Sequence, residues 1–229
     1  MRRLVVLLII LGIVASAWLI YRNSSSRHEQ SAQPSLTIEK QPVAFASHTF
    51  DLHAPPANMP PLAYGEEALC DSNFSSETSV AGESQNSDAA HATVTITKVH
   101  MILHLSVDIW VPDDATPHVV EHENGHRQIS EYYYRSANQL AEHVAASYLG
   151  KQIEITGPDL HAGLEKALRQ TATEITNEYD RDLNSPAAQQ YYDRITDHGR
   201  NETNVKDAIA AAVENAKMAS IQSPTTAPK

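Results

Sequence analysis

At 229 residues the chain is long enough for one domain with a real core plus appendages. Its 17 Lys and Arg stand against 28 Asp and Glu, a formal charge of −11, which argues against nucleic acid and against a polybasic membrane-binding surface as partners. Cys70 is the only cysteine, so no intramolecular disulfide can form and any metal must be held by nitrogen and oxygen ligands.

Met1 to Arg3 is a short basic head, followed by an uninterrupted apolar run from Leu4 to Tyr21 that Arg22 closes. The run is long enough to span a bilayer, with Trp18 and Tyr21 at the far interface and the amino terminus kept inside by Arg2 and Arg3. Ala15-Ser16-Ala17 also has the form of a signal-peptide cleavage site. Residues 1–22 are therefore expected to be a signal anchor or a removed signal. Either puts the body of the protein outside the inner membrane, at its periplasmic face or secreted.

Residues 23–42 read as a linker, polar and rich in Ser and Gln at the start, and residues 43–218 as the folded domain. Within it, Val43 to Leu52 has the pattern of a short strand and His53 to Leu62 is rich in Pro. The Ser-, Asn-, Glu- and Gly-containing stretch 71–92 reads as a flexible insertion. From Thr93 apolar residues alternate, slip phase near Lys98, and then alternate again from Val99 to Val111, which predicts a long strand with a bulge or two strands with a turn.

Thr116-Pro117 is a helix start, a hydroxyl cap followed by Pro at the first position. Val119, His122, His126, Ile129, Tyr133, Leu140, Val144 and Tyr148 then recur at helical spacing, and Gly150 ends the pattern. Further segments follow: a strand or loop over 151–157, a helix from Pro158, a third from Ser185 broken at His198-Gly199, and a last one from about Asn201. Residues 219–229 read as a disordered tail.

The chemistry is concentrated in His122-Glu123-Asn124-Gly125-His126. Residues four apart share one helix face, so both imidazoles can reach one ion, while Glu123 projects beside it, where a base would take a proton from a metal-activated water. A third ligand must come from elsewhere. His118 lies too far along the helix from His126, His143 is off the stripe by angle, and His161 lacks supporting context. His198 is the best candidate, since Gly199 lets the chain turn the ring back; Asp193 and Asp197 can orient a ligand ring, and Asp197 can itself ligate. Tyr192, Arg200, or His198 if it does not ligate, are candidates to meet the developing oxyanion. Gly125 inside this helix costs about 1 kcal/mol against Ala and calls for a close approach of backbone, substrate or packing to that face.

The H-E-x-G-H helix, followed by Tyr192-Asp193-x-x-Thr196-Asp197-His198-Gly199, resembles a bacterial family of uncharacterised, predicted secreted zinc-dependent proteases. The resemblance covers about Thr93 to Val213. It implies an α+β, zincin-like fold: a small antiparallel sheet packed on a long active-site helix, then a mostly helical C-terminal half. It further implies zinc on His122, His126 and His198 with Glu123 as base, and peptides or proteins as substrates. Glu174 and Asn177-Glu178 keep a glutamate ligand open. The alternative is a non-catalytic metal-binding envelope adaptor or interaction module.

Overall fold

In the computed structural model, residues 33–62, 65–183 and 185–222 are described. The segment 1–22, expected to be a signal or anchor, and most of the tail, 223–229, lie outside the described residues. Among the described residues no helix is long and apolar enough to cross a membrane.

The alternating run predicted from Thr93 is one strand of 22 residues, β4 (His91–Pro112), and the sheet is assembled on it. Its inward residues Val94, Ile96, Val99, Met101, Leu103, Leu105, Val107 and Ile109 are almost wholly buried. The phase slip is a bulge: Lys98 pairs with Ala81 and Ile96 with Gly82, leaving Thr97 unpaired between them. β3 (Leu69–Asn86) runs antiparallel along one edge of β4. The other edge is shared in succession by β5 (Gln152–Thr156, antiparallel), β1 (Ser35–Lys40, parallel) and β2 (Ala44–Phe50, parallel).

Three expectations are corrected here. The sheet is mixed rather than antiparallel, because β1 and β2 both run with β4. The linker expected over 23–42 already contains β1, whose Leu36 and Ile38 pack against the core. The flexible insertion expected over 71–92 is mostly β3: its Ser72, Phe74, Ser76, Thr78 and Val80 are partly buried and alternate with exposed Asp71, Asn73, Ser75, Glu77 and Ser79. Polar composition concealed a strand in which small hydroxyl residues occupy the inward positions.

Helices cover the inward face. α1 (Pro117–Arg135) is capped by Thr116, whose hydroxyl accepts from the Val119 amide, with Pro117 in its first turn. The single helix expected through to Gly150 breaks at Ser136, and α2 (Ala137–Ala146) continues from it. α3 (Leu160–Asp182) is capped by Asp159; α4 (Ser185–Thr196) and α5 (Val205–Gln222) complete the C-terminal half. α5 extends through 219–222, the first part of the stretch expected to be disordered.

α1 is packed on both sides. Val119 and Tyr134 face the sheet core, and the Tyr134 hydroxyl lies 2.8 Å from the carbonyls of Gln41 and Leu103. On the other side Ile129 joins Ala188, Tyr192, Val205, Ala208, Ala212 and Ala216 of α4 and α5 in a second core. This double burial explains why Glu123, Gly125, Ser130 and Tyr134 are buried although they lie off the stripe predicted from spacing.

Candidate metal centre

His122 and His126 lie one turn apart on α1, and α4 brings Asp193 against them. The two Nε2 atoms are 3.2 Å apart. Asp193 Oδ1 is 2.8 Å from His126 Nε2 and 3.5 Å from His122 Nε2. Donor atoms held about 2.0–2.1 Å from a tetrahedral ion are separated by about 3.3 Å, so the three atoms already stand at the mutual spacing of ligands on one ion. Among the described residues this is the one group of three or more such side chains whose donor atoms all lie within 4.8 Å of each other. Imidazole and carboxylate suit zinc, with a fourth position left for water or substrate.

The two rings are held by different means. His126 Nδ1 bonds to Gln189 Oε1 at 2.6 Å. His122 Nδ1 is buried without a hydrogen-bond partner, and packing fixes that ring instead. Tyr192 stacks on one face of it, with centroids 5.0 Å apart and planes 13° from parallel. Gly199 abuts it so closely that a Cβ there would lie 2.8 Å from His122 Cγ. The Tyr192 hydroxyl enters the space where a side chain at residue 125 would begin, and donates to the His122 carbonyl at 3.3 Å. The glycine inside H-E-x-G-H is therefore required by Tyr192. Gly125→Ala should cost at least about 1–3 kcal/mol from overpacking alone, measurable by denaturant unfolding of the metal-free protein, and should loosen zinc binding with it.

Burial lowers the pKa of His122 and opposes charge on His126, but the bonds and charge of Asp193 raise His126 above its ordinary value. Asp193 shows the reciprocal effect. Burial works against its charge, yet hydrogen bonds to both histidines prevail and hold the carboxyl well below the usual carboxylate range. Glu123 is 6 % exposed, and burial pushes it up to about 7, with the Cys70 backbone amide bonded to it from the start of β3. The Cys70 thiol, in the same cavity, is pushed up to about 12 by burial and stays neutral.

The structure places two residues differently from expectation. Asp193, expected to orient a ring, puts Oδ1 beside both Nε2 atoms, where the third ligand atom was expected from His198. His198 is 46 % exposed, with Nδ1 3.9 Å from Asp193 Oδ1 and 3.9 Å from Glu66 Oε1, and stands at the rim of the group. Tyr192, expected to face the oxyanion, is fully buried with its hydroxyl turned into α1, and its role is to wedge the helix pair and support His122. Arg200 lines the cavity, but its guanidinium donates to the Gly65 carbonyl at 3.0 Å and lies 3.8 Å from Asp197. Asp197, His198 and Gly199 all have left-handed backbones, with φ of 49°, 54° and 75°. Two successive non-glycine residues in that region cost about 1–3 kcal/mol each, and such conformations gather at functional sites. Here they turn the chain back over His122 and leave the His198 ring at the cleft.

The group opens into a cavity of about 780 Å³ bordered by Gly65 to Phe74, α1 and α4. Its wall carries Glu66, Glu67, Asp71 and Asp180 against Arg200. The residue that spacing in the sequence did not indicate is Gln189; its only signal was a place one turn before Asp193 on the same helix. No family model, no curated protein and no solved structure matches the chain, so the reading of this centre rests on its own geometry.

Proposed function

We propose that the protein is a zinc-dependent peptidase of zincin-like arrangement, exported and attached to or released from the outer side of the inner membrane. The observation that carries this reading is a buried carboxylate, Glu123, beside three ligand atoms at metal spacing and facing a large cavity. His122, His126 and Asp193 would hold a divalent ion, which would supply Lewis acidity for a peptide carbonyl and a water. Glu123 takes the proton of the attacking water and delivers it to the leaving amine. His198, at the cleft side of Asp193, is the donor we assign to the developing oxyanion. A purely structural metal site would not need a desolvated carboxylate at this position, which favours an enzyme over an adaptor.

The acidic wall favours substrates with Lys or Arg near the scissile bond. Zinc-loaded full-length protein incubated with a mixed peptide library should cleave basic peptides in preference to acidic ones, and the activity should vanish with chelator and return with zinc. Stoichiometric zinc with no cleavage of any peptide would instead favour the non-catalytic adaptor.

A further inference from the structure

The geometry points to Gln189 as the positioning residue that makes His126 a metal ligand, anchored through Ser130 to strand β3; the inference rests on the metal centre proposed above. The orientation of the Gln189 amide follows from its surroundings. Its Nε2 lies 3.1 Å from the His126 carbonyl and 2.9 Å from Ser130 Oγ. The carbonyl can only accept, so the amide nitrogen must face it, and the two N–H bonds of Gln189 are then both used. Oε1 is left to face His126 Nδ1 at 2.6 Å, and since an amide oxygen can only accept, Nδ1 must carry a hydrogen. That leaves His126 Nε2, the atom beside Asp193, as the nitrogen whose lone pair an ion can take.

The opposite flip would set one carbonyl against another and present an N–H to Nδ1. The proton would then move to Nε2 and block the metal. The His126 carbonyl disfavours this flip, because it can only accept. Ser130, fully buried, takes the second N–H of Gln189, and its own proton has Ser72 Oγ on β3 at 2.9 Å and the His126 carbonyl at 3.2 Å within reach. The chain Ser72–Ser130–Gln189–His126 therefore ties a ligand ring to the strand bordering the cavity. A neutral amide also donates less electron density through the ring than a carboxylate would, which leaves a bound ion more acidic.

The test measures zinc affinity of the chelator-stripped full-length protein by competition with a chromophoric chelator, and the Co²⁺ absorption spectrum of the same variants. Gln189→Met keeps the volume and removes the acceptor; it should weaken zinc about 10–100-fold and shift the Co²⁺ bands, with metal-free unfolding little changed. Gln189→Glu restores an acceptor to Nδ1 but sets its second oxygen against the His126 carbonyl, so it should recover the Co²⁺ bands and only part of the affinity. Ser130→Ala, should Gln189→Met fail to fold, is expected to weaken zinc in the same direction. Zinc affinity and Co²⁺ spectrum unchanged in Gln189→Met, or unchanged affinity in Ser130→Ala, overturns the role. A wild type that binds no zinc overturns the metal centre itself, an outcome distinct from a wild type and Gln189→Met that bind equally well.

Discussion

Glu123→Gln should bind zinc as tightly as the wild type and hydrolyse peptide about 10²–10⁴-fold more slowly, the range that a positioned general base supplies. The amide is nearly isosteric and the position is almost sealed from solvent, so packing around the site is retained. What it lacks is basicity: the amide oxygen can accept a hydrogen bond but cannot take up the proton. The effect has a pH signature. Burial holds Glu123 near 7 in the metal-free protein, and a dication beside it lowers that value. A base works only when deprotonated, so the wild-type rate should fall as pH drops through the Glu123 pKa, at or below about 7. The variant should lack that limb. Elemental analysis alongside kcat/KM from pH 5 to 9 reads both effects. Full activity with an unchanged acid limb would remove Glu123 from the reaction.

Asp193→Ala should abolish stoichiometric zinc, whereas His198→Ala should keep zinc and lose about 10²–10³-fold in kcat, the cost of removing one oxyanion donor. The contrast follows from distance. Asp193 Oδ1 lies within 3.5 Å of both imidazole nitrogens, while His198 Nδ1 stands 3.9 Å from Asp193 Oδ1 and its ring is half exposed. Deleting Asp193 also leaves His126 buried without the carboxylate that sustains it, so the metal-free variant should be less stable as well. Isothermal titration with zinc, followed by single-turnover assays of the loaded variants, separates the two residues. Zinc lost with His198→Ala and kept with Asp193→Ala would return the third ligand to His198.

β4 and α1 were readable because each carries a strong period. Nineteen residues of alternation from Thr93 to Val111 leave little freedom in which face of β4 is buried, and the slip near Lys98 marked the bulge itself. Thr116-Pro117 fixed where α1 begins, and four-residue spacing placed both histidines on one surface. β3 was hidden because most of its inward residues are short and polar, and β1 because its six residues hold only two apolar positions; both acquire strand character by pairing with β4.

The sequence by itself determined the chemistry available: two imidazoles and a carboxylate on one helix, and a second polar motif some seventy residues later. It also flagged Gly125 as a position of close approach, without saying what approaches. The tertiary structure alone decided that Tyr192 fills that space, that Asp193 rather than His198 meets the histidines, and that Gln189 sets the ring of His126. The physical reason is that spacing along a helix fixes only which residues share a face. Which partner reaches that face depends on how α4 docks on α1 and on the left-handed turn that follows it, and both are products of packing rather than of local pattern.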